Sequence, residues 1–469
     1  MAAARRVDLV FASAVRLAAA IRSGEVSSSE VVEAHLDRIE RHNPGLNAVV
    51  TLDAEGARAR ARAADEARAR GENWGSLHGV PYTLKDSHAT AGMRTTAGHP
   101  PLADYVPTED GTVAARLRAA GGVLLGKTNV PELLVDIQTD NPVFGRTLNP
   151  WDPARTPGGS SGGAAAALAR GMTPIDIGSD VGGSIRIPAH FCGVFGLKTT
   201  EHRVSSFGHI PDLPGAPRSV RVLASIGPMA RTAEDLALLY RIVAGPDGRD
   251  AELPPVPVED VPEVTLGTLR VAFAPTFPGF PVAGDVRAAI EAFASAVEPF
   301  CAAMEDAPLP DLDYDRAALS EIDTMAVRAM VPGDPVGPPP TLAQYLHALD
   351  RRDRFLLAWE AFFDRWDVLV CPASMVTAFP HCPTGTPLDV DGVAVDYWMA
   401  NAHCKLFSYT GHPAVAMPVT ADSRGLPLGV QLVGKRWSES RLLAIAAALS
   451  AVVGTPPGYP PTRLRRQAG

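Results

Sequence analysis

Apolar residues recur along the chain in two patterns, and the first 70 residues show only the helical one. Apolar positions fall at helical spacing in residues 13–21 and 28–39. Residues 27–30, three serines and a glutamate, offer N-cap residues for the second helix. An alanine-, arginine- and glutamate-rich run over 53–70 predicts a solvated helix. We therefore expect residues 1–70 to form a helical N-terminal part.

Beyond Gly79, short apolar runs alternate with helical ones. The predicted strands cover residues 80–84, 123–126, 269–274, 367–372, 414–418 and 428–433. The predicted helices cover residues 112–120, 162–170, 286–297, 346–363 and 439–452. This alternation predicts an α/β protein with helices layered on a sheet. Residues 245–355 contain proline-rich pieces and are expected to form a variable insertion or a cap over the site.

Composition narrows the class of protein. The chain has 469 residues, of which 46% are hydrophobic and 20% charged, as in a globular protein with a sizeable core. The formal charge of −9 argues against a nucleic-acid partner. Five scattered cysteines without a CxxC pair suggest neither a zinc site nor a disulfide framework. No membrane span or signal segment is evident, so we expect a cytoplasmic, bacterial protein without metal or cofactor.

Two serines, Ser160 and Ser184, each follow a Gly-Gly pair, and an apolar alanine-rich run lies between them. Glycines permit backbone angles that other residues resist, and they leave a hydroxyl and the nearby N–H groups unshielded. A nucleophile needs an exposed oxygen and converging N–H donors for the oxyanion that it creates. The pattern therefore favours nucleophilic catalysis over two structural turns.

A serine nucleophile needs a base, and the chain offers histidines and one well-placed lysine. Ser184 does not lie in a Gly-x-Ser-x-Gly elbow, since Ile185 and Arg186 follow it, and no motif supports His88, His190 or His209 as a base. Lys85 ends an apolar run, which would bury its stem. Burial depresses a lysine pKa and lets the neutral amine accept a proton. The alternative is an ordinary lysine at a strand end that pairs with Asp86.

Three segments together resemble the amidase signature family. They are Gly79-Val80-Pro81-Tyr82-Thr83-Leu84-Lys85-Asp86, Gly158-Gly159-Ser160-Ser161-Gly162-Gly163 and Asp180-Val181-Gly182-Gly183-Ser184-Ile185-Arg186, with Thr95-Thr96-Ala97-Gly98 as a further match. The resemblance extends to residues 429–434 and is weakest over about 245–355. It implies one α/β domain over residues 1–469, with a central mixed β-sheet covered by helices.

The resemblance also implies a mechanism. Lys85 is the base, Ser160 relays protons after a peptide bond that is often cis, and Ser184 is the nucleophile. The backbone N–H groups implied for the oxyanion hole are those of Val181, Gly182, Gly183 and Ser184. Ser161, Asp180 and Arg186 are expected to support the loop.

The tentative substrate pocket comprises Leu134, Asp136, Ile137 and Phe144. Residues 133–137 are apolar apart from Asp136, and Phe144, Phe207 and residues 325–340 add apolar surface. We therefore expect the pocket to prefer hydrophobic or aromatic substrates.

Three functions are compatible with these features. The first is a hydrolase of small-molecule amides, including aryl amides or carbamates, that acts as a monomer or homodimer. The second is the glutaminase subunit of glutamyl-tRNA amidotransferase, which needs a charged pocket for the amino acid. The third is a catalytically inactive binding protein, against which the intact Lys85, Ser160 and Ser184 argue.

Overall fold

The helices and strands follow one another through most of the chain. The computed structural model describes residues 7–210, 221–330 and 340–454, and only the backbone over 326–330. The helices are α1 Ala14–Ser23, α2 Ser28–His42, α3 Ala54–Ala69, α4 Thr112–Ala119, α5 Gly162–Ala169, α6 Arg186–Cys192, α7 Ala233–Val243, α8 Gly284–Val297, α9 Arg316–Leu319, α10 Glu321–Met330, α11 Leu342–Phe363, α12 Ala402–Tyr409 and α13 Glu439–Val453. The strands are β1 Val49–Leu52, β2 Pro81–Lys85, β3 Val123–Thr128, β4 Ile175–Asp180, β5 Phe195–Lys198, β6 Ser225–Ala230, β7 Arg270–Phe273, β8 Ala303–Asp306, β9 Val368–Pro372, β10 Leu388–Val390, β11 Val393–Val395, β12 Ala414–Ala421 and β13 Pro427–Val433.

The N-terminal helices begin where the sequence places their caps. The Ser27 hydroxyl accepts a hydrogen bond from the Glu30 amide, and the Glu30 carboxylate accepts one from the Ser27 amide, which forms a capping box for α2. Helix α3 is less solvated than its composition predicts. Its alanines at positions 57, 61, 64 and 67 form a buried face, since residues four apart lie on one side of a helix.

An eight-stranded mixed sheet forms the centre of the molecule, in the order β4-β6-β5-β12-β13-β9-β7-β8. The pairs from β4 to β9 are antiparallel, and β9, β7 and β8 run parallel to one another. Helices flank this sheet, with α6 against β12 and β13, and α13 against β12, α7 and α8. The predicted α/β class with a central mixed sheet is confirmed.

A smaller sheet, in the order β1-β3-β2, places the candidate base. Strands β2 and β3 are parallel, and Lys85 at the end of β2 pairs with Thr128. All five residues of β2 are buried, and β2 packs against β4 of the large sheet. The last residue of β2 therefore points its side chain toward the segment that leads to Ser184.

The weakly patterned region 245–355 contributes to the large sheet through β7 and its edge strand β8. Its helices also pack in a second hydrophobic core, in which the rings of Trp359 and Phe407 lie 4.9 Å apart. The division of the chain into a helical part, a body and a cap stays a prediction. Most of the expected apolar cap segment 325–340 lies outside the described residues.

None of the helices within 7–210, 221–330 and 340–454 is both long enough and apolar enough to cross a membrane.

Candidate active site

Lys85 lies fully buried beside Ser160. Its Nζ donates to Ser160 Oγ at 2.8 Å and to Ser179 Oγ at 3.0 Å, and it lies 3.3 Å from the Ser179 carbonyl oxygen. Burial lowers the pKa of Lys85 from 10.5 to about 7, although the carboxylates of Asp180 and Asp176 act to raise it. A substantial fraction of Lys85 is therefore neutral near pH 7 and able to accept a proton.

Ser160 lies in the loop that leads into α5, and its peptide bond with Gly159 is cis. A Cβ atom on Gly159 would lie 2.3 Å from the carbonyl oxygen of Gln138 and 2.7 Å from that of Asp136. Because both contacts are with backbone atoms, only glycine fits at position 159. The glycine that the sequence places before Ser160 is thus required by the close approach of a neighbouring chain segment.

Ser184 lies in the turn between β4 and α6, and it is half-buried. Gly183, immediately before it, has φ of +116°, a backbone conformation that L side chains rarely adopt. The carbonyl of Ser184 accepts a hydrogen bond from the Ser161 amide at 3.0 Å, which fixes the two serine loops against each other. No hydrogen bond joins the Ser160 and Ser184 hydroxyls in the described residues.

Asp180 organises the turn that carries Ser184. Its carboxylate accepts hydrogen bonds from the amides of Gly183 at 2.7 Å and Ile185 at 3.0 Å, and from the guanidinium of Arg186 at 2.8 Å. Burial acts to raise the pKa of Asp180, but the adjacent Arg186 and these hydrogen bonds hold it well below its usual range. Arg186 is itself fully buried and is anchored by Gln431 and Ser408.

The turn leaves fewer free N–H groups than the sequence suggests. The Gly183 N–H already donates to Asp180, so it is not free for an oxyanion in this structure. The N–H groups of Val181, Gly182 and Ser184 donate to no other group in the part of the chain that is described. Three of the four predicted donors are therefore available. The Ser161 hydroxyl lies 3.5 Å from the Ser179 carbonyl oxygen within the same loop system.

The histidines near these loops make contacts of other kinds. His190 accepts a hydrogen bond from the Gly429 amide at 2.9 Å, and its Nε2 lies 3.3 Å from the Val376 carbonyl oxygen. His88 packs edge-to-face against His209 with ring centroids 5.0 Å apart, and burial lowers the pKa of His88 well below 6.5. Neither His190 nor His88 hydrogen-bonds a candidate catalytic serine within the described chain.

The four residues of the tentative pocket lie in different surroundings. Ile137 is buried in the main hydrophobic core. Leu134 is half-buried, and Phe144 is half-buried with Arg94 4.8 Å from its ring centre. Asp136 accepts a hydrogen bond from the Tyr397 hydroxyl.

Asp136 also lines a cavity of about 510 Å³, and most of the residues around this cavity are polar. The lining residues are Asp136, Gln138, Asp140, Asn141, Pro142, Arg146, His381, Cys382, Pro383 and Thr384. The structure thus shows no continuous apolar pocket formed by the four predicted residues.

Sequence reasoning missed two side chains near Lys85. Ser179 accepts the second hydrogen bond of Lys85, and its position directly before Asp180 in the same motif was the available signal. The buried Asp176 carboxylate accepts hydrogen bonds from the hydroxyls of Thr83 at 2.6 Å and Thr128 at 3.1 Å. It belongs to β4, a strand that the apolar pattern did not reveal.

The comparison with known families agrees with this arrangement. The sequence profile of the Amidase family matches residues 30–332 and 339–443. The chain belongs to the Amidase family.

The proteins to which this chain is similar are named for different activities. The chain is 35% identical to a glutamyl-tRNA(Gln) amidotransferase subunit of Moorella thermoacetica, over 94% of this chain and 96% of the relative. It is 34% identical to an indoleacetamide hydrolase of Bradyrhizobium diazoefficiens, over 94% of this chain and 86% of the relative. Among solved structures, a bacterial aryl acylamidase superposes with a TM-score of 0.84 at 28% identity, over 95% of this chain and 97% of the other.

Proposed function

We propose that this chain hydrolyses the C–N bond of small-molecule amides through an acyl-enzyme on Ser184. The observation that carries this proposal is the 2.8 Å contact between Lys85 Nζ and Ser160 Oγ, together with the lysine pKa of about 7. A neutral lysine in contact with a buried serine is a base next to a proton relay. The half-buried Ser184 lies in the turn after β4, and β4 packs against β2, the strand that ends in Lys85.

The proposed reaction has two half-reactions. Ser160 passes its proton to Lys85 and takes the proton of Ser184, whose oxygen attacks the amide carbonyl. The N–H groups of Val181, Gly182 and Ser184 stabilise the oxyanion. The relay returns the proton to the departing amine nitrogen as the C–N bond breaks. Water then attacks the acyl-enzyme, its proton enters the same relay, and the acid leaves with Ser184 restored.

A second candidate is the glutaminase role within a glutamyl-tRNA amidotransferase. The Moorella thermoacetica relative, at 35% identity over nearly its whole length, supports it. The sequence argument against this role was the lack of a charged pocket, and the polar cavity beside Asp136 weakens that argument. In this candidate the Ser184 acyl-enzyme is formed from glutamine, and the released ammonia is used elsewhere in a complex. Carbamate cleavage remains within the first candidate, because a carbamate presents the same carbonyl.

A substrate screen with two matched variants tests the proposal. Primary amides, anilides, N-aryl carbamates and glutamine are compared by kcat/KM for wild type, Ser184→Ala and Ser295→Ala. Ser295 is exposed on α8 and donates to the Glu291 carbonyl of the same helix, so its variant makes the same chemical change outside the turn that carries Ser184. We expect Ser184→Ala to lose about 10⁴-fold or more, and Ser295→Ala to match wild type.

Covalent labelling identifies the nucleophile independently of the substrate. A fluorophosphonate should add once to wild type and not to Ser184→Ala, as measured by intact mass. An adduct on Ser160 or Ser161 would contradict the assignment. Glutamine as the best substrate would favour the amidotransferase role over the free-standing hydrolase.

A further inference from the structure

A group of polar side chains lies beside Gly182, one of the proposed oxyanion donors. A Cβ atom built on Gly182 would lie 3.2 Å from Asn401 Nδ2, 3.2 Å from Lys405 Cδ and 3.8 Å from Lys405 Nζ. Asn401 and Lys405 therefore lie next to the turn in which the amide carbonyl is proposed to react. No motif in the sequence pointed to either residue.

Lys405 lies on α12 and is only 3% exposed. Its Nζ donates to Asp323 Oδ2 of α10 at 2.7 Å, the only hydrogen bond of this ammonium group in the described chain. An ammonium group has three donors, so two remain without an acceptor. The other carboxylate oxygen of Asp323 is buried and accepts no hydrogen bond from the described residues.

Asn401 immediately precedes α12 and is 7% exposed. Its Oδ1 accepts hydrogen bonds from Nε and Nη2 of Arg316, both at 3.2 Å, and this pair fixes the orientation of the side-chain amide. The Nδ2 group therefore faces Gly182, and it has no acceptor among the described residues. The Nδ2 group is therefore a donor that a ligand beside Gly182 could use.

The unused donors indicate which ligand would satisfy these groups. Lys405 pairs with the carboxylate of Asp323, and the carboxylates of Asp315 and Asp396 lie near Arg316. The unused donors of Lys405 and Asn401 still need an acceptor. A carboxylate supplies two acceptor oxygens, and its hydrogen bonds to an ammonium group are of the strong, charge-assisted kind.

We infer that the substrate amide carries a carboxylate, which binds the Lys405 ammonium and the Asn401 amide N–H beside the oxyanion site. This inference rests on the proposed amide hydrolysis and names the substrate class. It departs from the expectation of an apolar pocket. It is compatible with either candidate function, because glutamine is one such amide.

Substrate pairs of equal shape test the inference. Succinamate is compared with 4-methylpentanamide and glutaramate with 5-methylhexanamide, in which an isopropyl group replaces the carboxylate. N-acetylglycine, which carries the carboxylate on the leaving amine, is compared with N-isobutylacetamide. For each pair the ratio of kcat/KM, anionic over neutral, is measured. We expect at least one ratio in wild type to exceed about 10, the effect of one hydrogen bond to a charged group.

Two variants identify the residues responsible. Lys405→Met should lower that ratio by about 10- to 100-fold, because it removes the charge and keeps the length of the side chain. Lys435→Met is the matched control, since Lys435 forms an exposed ion pair with Asp364 on the surface, and its ratio should equal that of wild type. Asn401→Asp provides a second test if Lys405→Met does not fold, because a carboxylate at 401 should repel the substrate and lower the ratio.

The outcomes separate the inference from the proposed function. If wild type hydrolyses the neutral amides at least as well as their anionic partners, the inference is overturned and amide hydrolysis stands. An anionic preference that survives in both Lys405→Met and Asn401→Asp also overturns it. If wild type hydrolyses none of the amides and Ser184 takes no fluorophosphonate, the proposed function fails and the inference falls with it.

Discussion

Replacing Lys85 with methionine should abolish activity and at the same time stabilise the protein at neutral pH. In the folded protein the pKa of Lys85 is about 7, against 10.5 in the unfolded chain. At a pH between these two pKa values, the Lys85 amine is protonated in the unfolded chain and neutral in the folded protein. Burial of the neutral amine therefore costs about 1.4 kcal/mol for each pH unit below 10.5. At pH 7 this cost is about 4 to 5 kcal/mol.

Methionine avoids the cost but loses favourable contacts. Lys85 Nζ makes hydrogen bonds to Ser160 Oγ and Ser179 Oγ, each contributing about 0.5–1.5 kcal/mol. Lys85→Met should therefore be more stable than wild type by about 2 kcal/mol at pH 7. At pH 9 the cost in wild type is smaller by about 2 to 3 kcal/mol, so the difference should vanish or reverse in sign.

Urea unfolding followed by tryptophan fluorescence at pH 7 and pH 9 measures both differences. Lys127 and Lys198, which are also buried with lowered pKa values, are present in both proteins, so their pH dependence cancels from the comparison. A difference in the free energy of unfolding that is equal at the two pH values would refute the argument. It would mean that Lys85 titrates alike in the folded and unfolded chains.

Three further predictions concern the same site. The value of kcat/KM should rise with pH to a plateau with a midpoint near 7, because Lys85 must be neutral to act, and a flat profile would point to another base. Lys85→Arg should stay inactive at every pH up to 9, since guanidinium keeps its proton. Arg186→Met should lower the free energy of unfolding at pH 7 by about 3–5 kcal/mol, because it leaves the buried Asp180 carboxylate without its cation. Urea unfolding at pH 5 should show a smaller loss of unfolding free energy than at pH 7, since protonation of Asp180 removes its unpaired charge. An equal loss at both pH values would contradict this account. His190→Ala, with its folding checked by circular dichroism, should keep the pH midpoint of wild type, whereas a displaced midpoint would implicate the imidazole in proton transfer.

The sequence was most informative where function is carried by contiguous residues. The segment from Gly79 to Asp86 predicts a buried strand that ends in Lys85, and the structure places Lys85 in contact with Ser160. The α/β class follows from the alternation of short apolar runs and helical patterns. Both predictions depend on local spacing, which a single sequence displays directly.

Contacts between distant parts of the chain were not accessible in this way. Lys405 and Asp323 are 82 positions apart, and only the packing of α12 against the region around α9 and α10 brings them together. Strand β4 was missed because its buried residues include Asp176 and Asp180, which interrupt the apolar run. Ile137 was expected in the pocket as part of the apolar run over residues 133–137, yet its side chain packs into the main core.

Strand β8 is the last strand of the large sheet among the described residues, and its outer edge has a consequence for the behaviour of the protein at high concentration. An unpaired edge exposes backbone donors and acceptors that could pair with another chain. The final residues of β8, Glu305 and Asp306, are exposed and acidic, and β8 has only four residues. Two copies meeting edge to edge would place four carboxylates along one short pair of strands, so their like charge and the shortness of the strand oppose aggregation by sheet extension.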